Sequence, residues 1–360
     1  MATEIHTLLI DPFLKKLAKY AIEKDASDLH ISTNNFVFIR VNGALVKINS
    51  VPESSAELVK KIFNSITTDE QKDVFEKNKE CDLSVSIANN IRIRANAFLT
   101  KNGVSISIRF VPVKKAKTLE ELTVPEVIRE NICNLKKGLV LVTGPTGSGK
   151  TTTISAIIDH LNSHYNYHII TIENPVEFIH KSQKSLIQQR EVGVSSSGFD
   201  SSVKAALRED PDVIMIGEMR SLETIRAALH AAETGHLVFG TLHTNSASNT
   251  ISRIVNAFPS DEYGAVRSLL SEVLKGVISQ RLLPNKVSGR CAAFEIMVST
   301  NAISNLILEG KISKINSMIE IGQKKGMILM QQSIKKLIAQ EMVDTEEAEK
   351  ILRSYDKNTT

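Results

Sequence analysis

Apolar side chains fall at positions 13, 14, 17, 18, 21 and 22, a spacing that predicts one helical stripe. Beyond Asp28 the period shortens. Alternating or continuous apolar runs at 36–41, 44–48, 83–87, 91–98 and 104–110 predict short strands, separated by Asn-Gly and Asn-Asn turns. Helical patterns over 55–66 and 68–77 interrupt them. The mixture predicts an α+β domain over 1–112. Residues 112–117 read Pro-Val-Lys-Lys-Ala-Lys, so 113–117 is read as a short basic linker behind a proline.

From about residue 118 the pattern changes again. Strand-like runs at 139–143, 168–172, 212–217 and 236–241 alternate with helical ones at 151–162, 201–208, 221–232 and 246–256. Such alternation predicts an α/β fold, a mainly parallel sheet covered by helices, over 118–300. The remainder, 301–360, reads as polar-amphipathic helix.

One turn in this alternation carries chemistry. Gly144, Pro145, Thr146, Gly147, Ser148, Gly149, Lys150 and Thr151 follow an apolar strand and precede a helix that continues from Thr152. This is G-x-x-x-x-G-K-[ST] in its expected context. The glycines let successive backbone N–H groups turn inward towards phosphate oxygens. The helix adds the positive end of its dipole. Lys150 reaches the β- and γ-phosphates, and the Thr151 hydroxyl is placed to ligate Mg²⁺.

Two acidic elements follow. The strand at 213–216 ends in Gly217-Glu218, where an ordinary metal-binding strand of this kind ends in Asp-Glu. Glu218 is the candidate to orient or deprotonate the attacking water. The missing Asp requires another acidic partner for the metal. Glu173, at the end of the 168–172 strand, is that candidate, on the expectation that its strand runs beside the phosphate-loop strand. Glu177 fits a solvated acidic turn equally well. His236 and His243 flank another apolar strand, and only the carboxyl end of a parallel strand faces the nucleotide, which favours His243 as a γ-phosphate sensor. Arg92, Arg94 and Arg109 lie on strand-like segments of the first domain. Outward arginines on strands are ordinarily solvated, but such side chains also neutralise transition-state charge across subunit interfaces.

Composition narrows the field. Of 360 residues, 44 are basic and 40 acidic, a net charge of +4 that is too balanced to indicate a nucleic-acid binder. The absence of Trp weakens base stacking. Cys81, Cys133 and Cys291 lack metal-binding spacing and read as reduced cytosolic thiols. The first residues carry no basic-then-apolar leader pattern, and no apolar run reaches a membrane-spanning length of about 18 residues.

Taken in order, several stretches resemble the secretion-type ATPases. After the phosphate loop come Ile-Thr-Ile-Glu-Asn-Pro-Val-Glu-Phe (171–173 within it being Thr-Ile-Glu), Gln-Arg-Glu-Val-Gly, and Ala-Leu-Arg-Glu-Asp-Pro-Asp-Val-Ile-Met-Ile-Gly-Glu-Met-Arg. Ala-Ala-Glu-Thr-Gly-His-Leu-Val-Phe-Gly-Thr-Leu-His completes the series. These resemble the Walker A, Asp box, Walker B and His box of that superfamily, in the style of PilT-type pilus retraction motors. Ala-Ser-Asp-Leu-His-Ile-Ser at 26–32 and Arg94-Ala-Asn-Ala-Phe resemble its N-terminal signatures.

The resemblance implies a PAS-like N-terminal domain, a RecA-like core and a homohexamer that hydrolyses ATP with Mg²⁺. It implies Glu218 as catalytic glutamate, Glu173 and His243 as Asp-box and His-box residues, and Arg94 and Arg109 as interdomain arginines. The implied function is pilus retraction for twitching motility, in the cytoplasm at the inner face of the membrane. The implied partners are a PilC-like platform protein and a second retraction ATPase. No direct contact with nucleic acid is expected.

The chain also departs from the pattern. Asn174 replaces an Asp, and Ser304 and Leu308 replace both arginines of an element linked to retraction. The four-cysteine zinc site and longer N-terminus of extension motors are not seen. The rival readings are a PilU-like accessory ATPase, a nucleic-acid translocase and a nucleotide-binding regulator.

Overall fold

The computed structural model describes residues 10–41, 43–88, 91–112, 115–193, 195–196, 198–287 and 289–356. The chain divides into two units, Met1–Lys114 and Lys115–Thr360. Positions 113 and 114 of the expected linker lie outside the described residues.

The first unit opens with helix α1 (Pro12–Glu23). The Asp11 side chain accepts from the Phe13 N–H at 2.8 Å, and Pro12 occupies the first turn, where no backbone donor is needed. Strands β1 (Ala26–Ser32), β2 (Phe38–Val41) and β3 (Ala44–Lys47) follow. Helices α2 (Ala56–Ile66) and α3 (Asp69–Asn78) precede β4 (Glu80–Ala88), β5 (Ile91–Thr100) and β6 (Gly103–Pro112). The strands form an antiparallel sheet in the order β3-β2-β1-β6-β5-β4. Strand β5 shows the alternation of a half-buried sheet: Ile93, Ala95 and Ala97 are buried and Arg94 is exposed. Leu14 and Leu17 of α1 and Ile62 and Phe63 of α2 join the same core.

In the second unit, β7 (Gly138–Thr143) leads to α4 (Lys150–His164), then β8 (His168–Glu173), β9 (Leu186–Glu191) and α5 (Phe199–Ala206). β10 (Val213–Ile216), α6 (Leu222–Glu233), β11 (Leu237–Leu242), α7 (Ala247–Val255) and α8 (Tyr263–Val273) continue the alternation. β12 (Leu274–Pro284) and β13 (Arg290–Val298) form a hairpin. Helices α9 (Asn301–Leu308), α10 (Ile315–Ile321), α11 (Met330–Ala339) and α12 (Thr345–Asp356) end the described chain.

The sheet order is β13-β12-β7-β11-β10-β8-β9, parallel except for the β12–β13 pair. Successive residues of one strand serve opposite cores. Leu139 and Leu141 join the cluster with α5–α8, whereas Val140 and Val142 join the cluster with α4. Double burial is why these strands read as continuous apolar runs.

The topology corrects one expectation. β8 does not run beside β7; β11 and β10 lie between them, and β7 is flanked by β11 and β12. Chain order suggested adjacency, but the connection between β7 and β8 skips two places, and β10 and β11 fill them later.

Candidate active site

The site is assembled at the carboxyl ends of β7, β10 and β11. After β7, whose residues are all buried, the backbone turns through Gly144 and Gly149 at φ 146° and 87°. A Cβ on Gly144 would lie 2.3 Å from the Gln280 carbonyl oxygen, so this position admits only glycine. Gly149 ends the loop and Lys150 opens α4. Ser148 is buried, and its Oγ has no hydrogen-bond partner among the described residues. An orphaned hydroxyl in a glycine-rich loop at a helix N-terminus fits a phosphate oxygen that would complete it.

Lys150 is folded back on this loop. Its Nζ donates to the carbonyls of Gly144 at 2.8 Å and Pro145 at 3.0 Å, and lies 3.5 Å from His243 Nδ1. Burial pulls its pKa down, and Glu218 opposes that pull. His243 Nε2 is 2.6 Å from Glu218 Oε1. A neutral ring protonated at Nε2 satisfies both contacts: Nε2–H donates to the carboxylate and Nδ1 accepts from the ammonium. Glu218, His243 and Lys150 therefore form one chain. Arg220 Nε also donates to Glu218 Oε1. Burial pushes the Glu218 pKa up, but Arg220 and His243 outweigh it, and the carboxyl sits below its ordinary value.

Thr241 seats Glu218. The Met219 N–H donates to the Thr241 carbonyl at 3.0 Å, and the Thr241 hydroxyl donates to the Gly217 carbonyl. The residues before and after Glu218 are thus pinned to β11. His236 lies at the other end of that strand, with Nδ1 3.0 Å from the Ala231 carbonyl.

Glu173 is one strand away from Glu218, on β8. It is buried, its Oε1 accepting from the Thr171 hydroxyl at 2.6 Å and Gln189 Nε2 at 3.1 Å. Burial raises its pKa to about 7, with Thr171 and Gln189 opposing and the acids Glu177 and Glu191 assisting. A Cβ at Gly217 would lie 3.1 Å from the Ile172 carbonyl and 3.3 Å from Glu173 Cα. The close passage of β8 explains why glycine stands where an Asp was expected: the end of β8 occupies the room a side chain would need.

Thr151 and Thr152 are half-buried in the first turn of α4. Thr152 also lines a cavity of about 480 Å³ with Gly149, Thr153, Gln280, Arg290 and Phe294, contiguous with the phosphate loop. Thr153 donates to Gln280 Oε1 at 2.7 Å. Among the described residues, no group of three or more His, Cys, Asp or Glu is placed to hold a metal ion. The Thr151 hydroxyl, at the start of α4, is a hard oxygen donor of the kind Mg²⁺ takes.

In the first unit, Arg94 and Arg109 are cross-strand partners, and Asp28 is the next in register. Arg109 Nε donates to Asp28 Oδ1 at 2.9 Å. On its other side Asp28 pairs with Arg40, so this acid has arginines on both neighbouring strands. Arg92 lies two residues from Arg94 on the same strand and is half-buried.

Sequence reading did not single out Gln280, and met Thr241, Gln189 and Arg220 only inside motif strings. Thr241 and Arg220 stand within two residues of His243 and Glu218, a proximity that marks them. Gln280 lies on β12, whose mixed polar sequence gave no strand signal.

Residues 4–287 match the family model described as Type II/IV secretion system protein. The chain is 46% identical over 335 residues to the type IV pilus retraction ATPase PilT of Pseudomonas aeruginosa, covering 93% of this chain and 96% of that protein. It is 36% identical over 335 residues to the type IV pilus ATPase PilU of the same organism, covering 93% and 87%. Among solved structures, the pilus retraction motor PilT with bound ADP superposes with a TM-score of 0.83 at 42% identity, over 92% of this chain and 95% of that one.

Proposed function

The chain belongs to the type II/IV secretion system protein family, and from that premise we propose that it is an ATP-hydrolysing motor powering type IV pilus retraction. The observation that carries this reading is the Lys150–His243–Glu218 chain at the end of three adjacent strands. This hydrogen-bonded path supports reading Lys150 as the phosphate-binding cation, His243 as the sensor and Glu218 as the base.

Gly144, Pro145, Thr146, Gly147, Ser148, Gly149, Lys150, Thr151 and Thr152 bind the nucleotide, the nucleoside part lying towards the cavity lined by Gln280 and Phe294. Lys150 exchanges its loop carbonyls for the β- and γ-phosphates. Glu218 takes a proton from the water that attacks the γ-phosphorus, and the β,γ-bridging oxygen leaves on ADP. His243 gives up Lys150 when phosphate arrives, and so reports occupancy to Glu218. Mg²⁺ would supply charge neutralisation at the phosphates, held by Thr151 and, through water, by Glu173. Arg94 and Arg109 belong to the same chemistry through a neighbouring subunit in a homohexamer, where added positive charge stabilises the transition state. The motor works in the cytoplasm at the inner face of the membrane, against a PilC-like platform protein and beside a second retraction ATPase. Among the described residues no helix is long and apolar enough to cross a membrane.

One observation favours an accessory, PilU-like role. Leu308 stands at 48% exposure where the retraction element carries arginine, and Ser304 is only 3.3 Å from Ser299, a local hydroxyl pair. Expression in Pseudomonas aeruginosa lacking its own PilT separates the two. Restored twitching supports the motor reading. A purified chain that hydrolyses ATP, fails there, and restores twitching in a strain that keeps PilT but lacks PilU assigns the accessory role.

A further inference from the structure

Glu295, in the middle of β13, is a buried carboxylate at 4% exposure. Among the described residues its partners are backbone donors. The Ala247 N–H donates to Oε1 at 2.7 Å, and the Met330 N–H donates to Oε2 at 3.4 Å. Ala247 is the first residue of α7 and Met330 the first of α11. Neither helix has an acidic residue in its own first turn. One carboxylate therefore answers the positive ends of two helices. Burial pulls its pKa up and the two N–H groups hold it back.

The two helices have different duties. α7 begins four residues after His243, and the intervening stretch is tied to it: the Thr244 and Thr250 hydroxyls are 2.6 Å apart, and Ser246 accepts from the Asn249 N–H. α11 is fastened to β13 on both sides of Glu295. The Phe294 N–H donates to Ser333 Oγ at 3.0 Å, and Ile296 and Ile328 exchange backbone bonds at 2.9 and 3.1 Å. Across the hairpin Glu295 pairs with Ser279, whose hydroxyl is 2.8 Å from Thr143 Oγ1 at the end of the phosphate-loop strand.

We infer that Glu295 is a positioning residue for ATP hydrolysis: it seats His243 by holding the first turn of α7, and it links that seat to the C-terminal helix α11. The inference rests on the ATPase reading above and extends it to a residue that touches no nucleotide. It makes the C-terminal helices part of the sensor's support, so force or a partner acting on α11 reaches His243 through one carboxylate.

The test is a double-mutant cycle with kcat and KM for ATP measured separately. Glu295→Gln keeps the shape but replaces one acceptor oxygen with a donor facing an N–H. It should lower kcat about tenfold while KM stays within about twofold, the pattern of misplacement at the reacting centre. In a His243→Ala background it should cost nothing further, because its route to the chemistry is already cut. Equal loss in both backgrounds, or no loss in either, overturns the inference. If His243→Ala itself leaves turnover unchanged, the assignment of His243 fails instead, and the two failures are distinct. Should Glu295→Gln not fold, Glu295→Asp, which keeps the charge and shortens the reach, carries the same outcomes. Hydrogen exchange of the wild-type Ala247 amide gives a variant-free check. Strong protection with and without ATP is expected, and exchange at the rate of an open loop overturns the link.

Discussion

The ends of β10 and β8 are neighbours in one sheet, yet their carboxylates are in opposite states. Glu218 touches Arg220 and His243 and is held below its ordinary pKa. Glu173 accepts from a hydroxyl and an amide and lies near the acids Glu177 and Glu191, and burial pushes it up to about 7. The residue type is the same and the strand ends pair in parallel. What differs is solvent and partner charge. Glu218, proposed to accept a proton from water, is held ionised by Arg220 and the His243 hydrogen bond. An acid proposed to face a metal is left without a protein cation, so that an incoming divalent ion is the charge it lacks.

That contrast is open to attack at several points. Among the groups around Glu218, the largest effect is expected from Lys150→Ala, which removes the end of the chain proposed to bind phosphate. Steady-state turnover should fall by about 10²–10³, the usual scale for losing one preorganised charge donor. The next concerns Glu173 in metal-free protein. Its folded pKa of about 7 lies above the ordinary 4.5, so the folded state holds the proton over that interval and the unfolded state does not. Stability is therefore greatest below about pH 4.5 for this group and declines as pH rises to about 7, by about 3 kcal/mol in all. Glu173→Gln should flatten that decline in urea midpoints measured from pH 5 to 8, and an unchanged slope would place the cause elsewhere.

Smaller is Gly217→Ala. A methyl group there meets backbone atoms of Ile172 and Glu173 and should cost about 1–3 kcal/mol in chemical denaturation, as overpacked sites do. Smallest is Arg220→Gln. The arginine is 79% exposed, so its contribution is largely screened. Its loss should move the acid limb of the pH–rate profile upward, because Glu218 would lose the arginine that helps hold it ionised. A downward move would mean that Arg220 does not face Glu218 in the working enzyme.

How much of this was readable beforehand follows from burial. The phosphate loop, Glu218 and His243 each end a strand buried on both faces, and such strands announce themselves as apolar runs with polar punctuation. β1 and β12 did not stand out. β1 carries Asp28 and His30, and β12 carries Lys275, Ser279 and Gln280. In β12 two of those polar side chains serve the loop beside it: Ser279 meets Thr143, and Gln280 accepts from Thr153. Strand order was beyond the sequence because it depends on which helices cover which face, a long-range matter that no local period encodes. The adjacency expected for Glu173 failed for this reason. Its closeness to Glu218 arises through β10 instead, and Gly217 was the one local hint, an absent side chain where a neighbouring strand passes. Glu295 gave no hint at all, since its partners are backbone groups 48 and 35 residues away along the chain.

The most direct test of the proposed hydrolysis centre is a single-turnover measurement on Glu218→Gln beside the wild type, with nucleotide binding followed in the same samples. ATP binding should be preserved and the chemical step slowed about 10²–10⁴-fold, as expected when a positioned base is removed. A variant that binds ATP and cleaves it at the wild-type rate would contradict the role of the Lys150–His243–Glu218 chain.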